Sequence, residues 1–456
     1  MPGGASRETW SFRVAPGDRR AGGADAAGSS LVEARSLVLR RDPPGAPSSG
    51  LVLEAALLVA AQGAGVPVPA VVASGPAGGP VESAFVVVEH VEGETIPRRV
   101  LRLVRDRGIG EALAAQCGRI LAALHAMAPA SVPGLPGGDA LEQLRGVLDH
   151  LDEPHPVLEL GLRQLGRGRP VRSGEVVVHG DFRNGNLIVG DDGIRAVLDW
   201  ELAHRGDPLE DLGWMCARAW RFGSPLPVGG FGTVDAMVGA YEEASGRVVD
   251  RQALRWWEAV AALRWGVICT IQAHTHLSGA ARSVELAAIG RRTCEAEWDL
   301  LELLDVLGPE AHDAPEGTAA VVASGPEEAS LARQPGPMVE LPHDRPTAAE
   351  LLEAVEEFLR TEVLGANEGR AGFHVRVAAN VVSMVARQLV LGPAQAAAHG
   401  RRLQRLDVHD DSELAGSIRK GVFDDRLPEL RGVLREVVTD KLQVANPAYM
   451  AGGETV

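Results

Sequence analysis

The residues with the clearest chemical potential lie in one stretch, VVVHGDFRNGNLIVGDDGIRAVLDWE, at positions 176–201. It holds Asp181 and Asn186 five positions apart, and a second carboxylate follows at Asp199. A small set of oxygen ligands suits Mg²⁺, which completes its shell with water and substrate phosphates. A carboxylate beside such a metal can orient an attacking hydroxyl and accept its proton, so the set fits phosphoryl transfer.

Short strands are predicted to bring these side chains together. The apolar run VVV delivers Asp181 into a loop, and the two runs that follow form a hairpin around Asp192-Gly193. This dipeptide is typical of a two-residue type I′ turn. In that register Asn186 stands opposite Asp199, with Cβ atoms about 4.5–5.5 Å apart.

The chain around this hairpin divides into four parts. Its 456 residues, 45% of them hydrophobic, suffice for two or three packed domains. Short β-prone runs at 10–14, 36–40 and 85–89 enclose a helical run closed by glycines. We predict an α+β fold with a small mixed lobe (1–94), a helical lobe (95–307), a flexible linker (308–345) and an all-helical domain (346–456), whose long apolar helix ends at Gly392-Pro393.

Charge and composition exclude several classes of protein. A formal net charge of −16 argues against nucleic acid and anionic membranes as partners. The start shows no secretory signal, and the apolar stretch 51–73 carries Glu54 and two prolines, which no ordinary membrane span tolerates. Four cysteines without a CxxC pair indicate reduced thiols, so a cytoplasmic protein with small-molecule or protein partners is expected.

The motifs HGDFRNGN and LDWE resemble those of the aminoglycoside phosphotransferase/choline kinase superfamily, relatives of the protein kinases. The resemblance extends over roughly residues 1–305. It implies a two-lobed, protein-kinase-like fold and an ATP- and Mg²⁺-dependent kinase of a small hydroxylated molecule.

The same resemblance implies roles for individual residues. Asp181 matches the catalytic base, and Asn186 and Asp199 match the metal ligands. Asp207 and Asp211 match residues that brace the catalytic loop. His179 is expected to hold that loop through backbone hydrogen bonds.

In the nucleotide lobe, the resemblance implies a phosphate loop, a basic residue and an adenine contact. Gly3, Gly4 and Ser6 resemble the glycine-rich loop; since two residues precede Gly3, the strand before that loop is expected to be missing. The usual phosphate-binding lysine is replaced by Arg40, paired with Glu54, because the chain has lysine only at 420 and 441. Finally, the resemblance implies that backbone groups of Glu89 and Val91 form hydrogen bonds with the adenine.

Other segments indicate an acceptor. ASRETW, LRRDPPG, VEGETIPRR and DWELAHRGDPLEDLGW resemble the branch of kinases associated with acyl-CoA dehydrogenases, which implies a hydroxyacyl-CoA or hydroxy acid substrate and such a dehydrogenase as a partner. FHVRVAANVVSMVARQLVLG resembles a small helical domain of poorly known function that accompanies these kinases.

Two alternatives remain open. One is an aminoglycoside-type antibiotic kinase, which needs an acidic pocket for a polycation. The other is a nucleotide-binding pseudokinase or scaffold, suggested by the replaced lysine and the absent first strand.

Overall fold

The computed structural model describes residues 7–15, 34–42, 50–78, 82–308, 347–367 and 369–451. The predicted glycine-rich loop, with Gly3, Gly4 and Ser6, lies outside the described residues. So does the predicted linker, except for its first residue, Gly308.

The N-terminal lobe is an antiparallel sheet of four strands in the order β1-β2-β4-β3. Its elements are β1 Glu8–Val14, β2 Arg35–Arg41, helix α1 Leu51–Gly63, β3 Val71–Gly75 and β4 Phe85–Glu89. Along β4, alternate residues Val86 and Val88 are buried, because successive side chains of a strand point to opposite faces. Leu51 and Leu57 of α1 are buried in the same core, so the strands and helix predicted for this lobe are confirmed.

The second lobe is mainly helical. Its elements are α2 Pro97–Arg107, α3 Gly110–His125, α4 Ala140–Leu151, α5 Pro156–Arg167, β5 Val176–Val178, β6 Leu187–Gly190, β7 Gly193–Val197, β8 His204–Gly206, α6 Leu209–Cys216, α7 Val234–Ser245, α8 Arg251–Leu277, α9 Val284–Gly290 and α10 Thr293–Val306. Several helices begin where a side-chain oxygen accepts the first backbone N–H groups, as at Asp139, Thr233, Asp250 and Ser283. These helices surround two short β-pairs, β5 with β8 and β6 with β7.

The predicted register of the β6–β7 hairpin is wrong. Gly190 pairs with Gly193, so the turn falls one residue earlier than expected. The Leu198 N–H donates to the Asn186 carbonyl at 2.8 Å, which places Leu198, and not Asp199, opposite Asn186. Asp199 is the next residue, and its backbone is left-handed, with φ of 64°.

Contacts from outside the hairpin set this register. Gln116 on α3 accepts the Ile194 N–H at 2.9 Å and donates to the Ile194 carbonyl at 3.1 Å. A Cβ on Gly193 would overlap the Gln116 side chain, so this glycine is used for close approach and not for the turn. A β-bulge between Ile188 and Val189, where the Val189 backbone pairs with Glu94, reverses half of this change. Without it the earlier turn would place Val197 opposite Asn186, and with it Leu198 takes that place.

The C-terminal region is all-helical, as predicted. It contains α11 Ala348–Phe358, a single π-helical turn Leu359–Val363, α12 Gly369–Arg405, α13 Asp411–Lys420 and α14 Leu427–Ala445. The Thr347 and Glu350 side chains form a capping box at the start of α11.

The predicted end of a helix at Gly392-Pro393 is wrong, since α12 continues through Pro393 to Arg405. A proline inside a helix costs about 3 kcal/mol. Contacts beyond the proline offset that cost: Gln395 donates to the Asp440 carbonyl at 3.0 Å, and Arg402 pairs with Glu436 at 2.9 Å.

The C-terminal helices share a hydrophobic core with the helical lobe. Leu430, Val438 and Leu442 of α14 belong to the same buried cluster as Leu158 of α5 and Leu300 of α10. Polar contacts surround it, joining Arg163 to Asp424, Arg419 to Glu159, Lys441 to Glu297 and Tyr449 to Asp299. The predicted all-helical region is therefore docked firmly on the lobe.

Candidate active site

Three donors hold the carboxylate of Asp181 in the loop after β5. Trp214 Nε1 and Arg183 Nε donate to its Oδ1 at 2.8 and 3.0 Å, and Asn186 Nδ2 donates to its Oδ2 at 2.6 Å. The Arg183 guanidinium lies 4.5 Å above the Trp220 ring, which fixes its plane. Asp181 keeps 13% of its side chain exposed, so the carboxylate is fixed in direction but open to a ligand.

Asn186 and Asp199 flank this loop. Asn186 is buried and uses its Nδ2 for both the carboxylate and the carbonyl of Asp181. That leaves its amide oxygen for another partner. The Asp199 carboxylate is 35% exposed, and Arg40 Nη2 lies 3.7 Å from it. The structure therefore offers two oxygen donors at the end of the hairpin without the predicted direct pairing of their positions.

His179 is buried beneath the loop. Its Nδ1 accepts the Asp181 N–H at 3.2 Å, so Nε2 carries the ring proton and donates to the Leu198 carbonyl at 3.0 Å. Burial lowers the pKa of His179 in spite of the nearby carboxylates, which keeps the ring neutral. The predicted backbone hydrogen bonds of His179 are confirmed.

Asp211 braces the same loop. Its carboxylate accepts the N–H groups of His179 and Gly180 at 2.8 and 2.9 Å, and His125 Nε2 lies 3.2 Å away. Burial opposes the charge, but the hydrogen bond from His125 and the backbone donors outweigh it and lower the pKa of Asp211. Asp207 has another role, since it accepts the N–H of Leu209 at the start of α6 at 2.9 Å.

In the N-terminal lobe, Glu54 is buried between two arginines. Arg40, on β2, contacts one of its carboxylate oxygens, and Arg7, just before β1, contacts the other. Arg7 also lies 3.7 Å from Glu201, two residues after Asp199. The predicted partners Arg40 and Glu54 are thus together, and the arginines connect the sheet to the LDWE segment.

Glu89 and Val91 lie where β4 leads into the second lobe. The Glu89 N–H donates to the Ala70 carbonyl at 2.9 Å, and the Glu89 carboxylate contacts Arg35. The amide N–H of Glu89 is therefore already used within the N-terminal lobe. Val91 is half-buried beside it.

A cavity of about 260 Å³ is lined by Trp214, the residue whose indole N–H donates to Asp181. Apolar side chains form most of its wall: Leu144, Leu202, Ala203, Trp257, Val260 and Ala261. The acidic Glu210 is matched by His204 at 3.1 Å and Arg264 at 3.2 Å. Burial works against a charge on His204, but the hydrogen bond to Glu210 outweighs it and raises the His204 pKa.

Glu201 also lines the cavity. Burial, reinforced by the nearby Asp199 carboxylate, raises the pKa of Glu201. Glu201 is two residues after Asp199 in the chain, and Trp214 on the cavity wall donates to Asp181, but neither aspartate itself lines the cavity.

Sequence reasoning missed Arg7, Arg183 and Trp214. Arg183 stands inside the motif HGDFRNGN, two residues after Asp181, so a signal for it existed. Arg7, next to a β-prone run in a lobe without lysine, was a weaker signal. Trp214 lies 33 positions from Asp181, and nothing local in the sequence indicates their contact.

Comparison with known proteins identifies the family of this chain. A family model described as the phosphotransferase enzyme family matches residues 19–257, more than half of the chain. The chain therefore belongs to that family, and it is a small-molecule kinase with a hydroxyl acceptor. A second model, described as a domain of unknown function (DUF6285), matches residues 365–449.

Individual relatives are more distant. Mouse acyl-CoA dehydrogenase family member 10 is 37% identical over 75 residues, which are 16% of this chain and 7% of that protein. Among solved structures, a protein assigned as an aminoglycoside phosphotransferase from Ralstonia eutropha is 21% identical over 59% of this chain and 86% of its own, with a TM-score of 0.48. A choline/ethanolamine kinase family protein from Mesorhizobium loti is 19% identical over 63% and 90%, with a TM-score of 0.42.

Proposed function

We propose that this kinase transfers the γ-phosphoryl group of Mg·ATP to the hydroxyl of a hydroxyacyl-CoA or a free hydroxy acid. The observation that carries the acceptor class is the cavity lined by Trp214, whose walls are mainly apolar and which holds two acidic residues, Glu201 and Glu210. Both carboxylates already face cationic side chains: Glu210 pairs with His204 and Arg264, and Glu201 lies 3.7 Å from Arg7. An acyl chain suits such walls, whereas a polycation needs carboxylates without partners.

Asp181 is the proposed catalytic base. Trp214, Arg183 and Asn186 orient its carboxylate toward the acceptor hydroxyl. The acceptor oxygen bonds to the γ-phosphorus while the bond to the β,γ-bridging oxygen breaks, and the hydroxyl proton passes to Asp181 as ADP leaves.

Asn186 and Asp199 fit as ligands of Mg²⁺. The Asn186 amide oxygen and the Asp199 carboxylate are the hard oxygen donors that this ion prefers, and neither is used up by the contacts described above. When bound, the ion supplies positive charge that offsets the charge of the phosphates.

Arg40 is the proposed phosphate contact. Glu54 holds its guanidinium, and its other amino group faces Asp199, so Arg40 reaches the region where phosphates and metal would meet. The backbone of Glu89 and Val91 would receive the adenine, and Gly3, Gly4 and Ser6 would cover the phosphates.

The proposal includes a functional link to an acyl-CoA dehydrogenase. Its support is the sequence resemblance and the 75-residue match to the mouse protein, of which this chain spans 7%. Phosphorylation of a hydroxyacyl thioester converts its hydroxyl into a better leaving group, so the link would join hydroxyl removal to acyl-chain oxidation.

A product screen tests the proposal. The full chain is incubated with Mg·ATP and a panel of hydroxy acids, their CoA thioesters, sugars and aminoglycosides, and phosphorylated products are identified by mass. We expect product from the hydroxyacyl compounds, with one ADP formed per product. Asp192→Asn, at the exposed hairpin turn, is the control that should keep activity, whereas Asp181→Asn should lose it.

The other outcomes point to the alternatives. Product from aminoglycosides alone would replace the proposed acceptor with an antibiotic. Binding of Mg·ATP without any product across the panel would favour a pseudokinase or scaffold.

A further inference from the structure

Arg264, on α8, lines the same cavity as Trp214. Its guanidinium lies 4.8 Å from the centre of the Trp214 ring, and its Nη1 donates to Glu210 Oε1 at 3.2 Å. These two contacts fix the guanidinium, because one face lies over an indole and one edge is tied to a carboxylate. Arg264 keeps 18% of its side chain exposed, so it is held in one orientation and still open to the cavity.

The contacts of Arg264 leave most of its hydrogen-bond donors for a ligand. A guanidinium has five N–H groups. Among the residues that the structure describes, Glu210 is the one hydrogen-bond acceptor of Arg264. Ligand cavities with apolar walls orient their ligands through a few polar groups of this kind. Arg264 is therefore the group on this wall that can donate to an oxygen of a bound molecule.

Glu210 has a second cationic partner, which leaves the charge of Arg264 incompletely balanced. His204 Nδ1 lies 2.8 Å from the Leu202 carbonyl, and its Nε2 lies 3.1 Å from the Glu210 carboxylate. Because both neighbours are acceptors, both ring nitrogens carry hydrogen and His204 is an imidazolium. Two cations therefore face one carboxylate at this end of the cavity. An electron-rich oxygen placed beside Arg264 would be attracted by the second cation.

A single side chain separates Arg264 from the proposed base. Trp214 has Arg264 over its ring, and its Nε1 donates to Asp181 at 2.8 Å. A molecule held at Arg264 therefore needs to extend past one indole to bring its hydroxyl to Asp181. The cavity volume of about 260 Å³ is just below the ~300–1,000 Å³ of ordinary ligand pockets, so the cavity suits a short acyl group and not a whole coenzyme.

We propose that Arg264 binds the acyl oxygen of the acceptor, which is either the carboxylate of a free hydroxy acid or the carbonyl oxygen of its thioester. This assignment rests on the proposed function and adds the residue that selects hydroxyacyl compounds over plain alcohols. The apolar walls contact the carbon chain, and Arg264 donates to the oxygen of its first carbon. A ligand without that oxygen leaves the charged donor without its hydrogen bond and binds more weakly.

A purely structural role of Arg264 leads to a different expectation. Arg264 contacts Trp214, and Trp214 orients Asp181, so the loss of Arg264 would also disturb the base. Such a disturbance would affect every ligand and every acceptor alike. The role of Arg264 is therefore tested by comparing ligands that differ in the acyl oxygen, and the comparison measures binding and not turnover.

Titration calorimetry of the full chain with two matched pairs of ligands makes this comparison. Hexanoate is compared with hexanol, which lacks the carboxylate, and hexanoyl-CoA is compared with S-hexyl-CoA, a thioether that lacks the carbonyl oxygen. We expect the wild type to bind the acyl member of at least one pair ~10–100-fold more tightly, the scale of a hydrogen bond to a charged group. A preference in the first pair identifies a carboxylate, and one in the second identifies a thioester.

Three variants assign the preference to Arg264. Arg264→Gln should remove it by weakening the acyl ligand, with the Kd of hexanol and S-hexyl-CoA nearly unchanged. Arg264→Lys keeps the charge but not the planar fork of donors, so it should retain part of the preference. Arg255→Gln, at an exposed position of α8, is the matched control and should keep all of it. Circular dichroism checks that each variant is folded.

Three results would overturn the proposal. They are a wild-type chain that does not prefer the acyl member of either pair, a preference that survives in Arg264→Gln, and an Arg264→Gln chain that binds both members of a pair more weakly by the same factor. If hydroxyacyl compounds are still phosphorylated in the product screen, any of these results removes the role of Arg264 and not the reaction. Acyl preference without product would remove the reaction and keep the site.

Discussion

At the scale of single residues, the carboxylate of Asp181, the proposed base, is held in one orientation by its neighbours. An indole N–H, a guanidinium N–H and an amide N–H all point at its two oxygens. These donors come from two separate segments, 181–186 and α6, so the orientation of Asp181 depends on how α6 packs against the loop. Preorganised geometry of this kind lowers the cost of reaching the transition state.

Asp181→Asn is predicted to reduce kcat by ~10²–10⁴-fold, because the amide cannot take the proton from the acceptor. The Asn side chain nearly preserves the shape, so ATP binding should remain. Steady-state kinetics with the best substrate of the panel measures kcat, and titration with ATP measures nucleotide binding. Near-normal turnover would remove Asp181 from the role of base.

Arg40→Ala is predicted to raise the KM for ATP by ~10–100-fold, the scale of one lost hydrogen bond to a charged group. Since Arg40 is proposed to touch phosphate and not the acceptor, the KM of the acceptor should change little. Arg13→Ala, at an exposed position of β1, is the matched control. An unchanged KM for ATP in Arg40→Ala would show that another group replaces the missing lysine.

At the scale of elements, Asp211 and His179 hold the loop that carries Asp181 through hydrogen bonds to its backbone. The backbone N–H groups of His179 and Gly180 both donate to the buried carboxylate of Asp211, which fixes the chain between β5 and Asp181. Gly180 permits this path because its φ is +77° and a Cβ there would overlap the Leu202 carbonyl oxygen.

Gly180→Ala is therefore predicted to lower the free energy of unfolding by about 1–3 kcal/mol and to reduce kcat as well. Gly146→Ala, within α4 and with open space around its Cα, is the matched control and should be neutral or stabilising by up to about 1 kcal/mol. Urea denaturation and kinetics of the two variants test this. Equal behaviour of both would show that the backbone path at 180 is not constrained.

At the scale of the whole molecule, the docking of the C-terminal helices involves a buried carboxyl group. Tyr449, just after α14, donates its hydroxyl to Asp299 Oδ2 at 2.6 Å, and Arg218 lies 3.2 Å from Oδ1. Burial raises the pKa of Asp299 to about 7, in spite of the Tyr449 hydrogen bond and the Arg218 charge.

This pKa makes docking sensitive to pH. A carboxyl group with a raised pKa in the folded state stabilises the protein fully below its unfolded pKa, and the contribution disappears as the pH rises through the folded value. We expect the unfolding free energy of the wild type to fall, relative to Asp299→Asn, by at most about 3 kcal/mol from about pH 5 to about pH 8. Denaturation of both chains at the two pH values measures this. Parallel pH profiles would contradict it.

Part of the site could be predicted from the sequence because its residues are close in the chain. Asp181, His179 and Asn186 belong to one motif, and the structure places both His179 and Asn186 in contact with Asp181. The pair of Arg40 and Glu54 is also found together, since a strand followed by a helix fixes their approach. The metal roles of Asn186 and Asp199, the adenine contacts, the domain boundaries and a cytoplasmic location stay predictions.

Other features could not be predicted because they depend on distant contacts. A type I′ turn at Asp192-Gly193 was a sound local preference, but Gln116 from α3 uses Gly193 for close approach and moves the register. Pro393 is likewise a local stop signal, and contacts of Gln395 and Arg402 with α14 carry the helix through it.

The sequence by itself indicated the candidate reacting groups and determined the lobe order and the helical nature of the C-terminal region, because motif spacing and apolar periodicity are properties of neighbouring residues. Only the tertiary structure decided which donors orient Asp181, where the hairpin turns and how the C-terminal helices dock. Those outcomes depend on contacts between residues that are far apart in the chain. Packing and hydrogen bonding of the whole fold decide which of these contacts form.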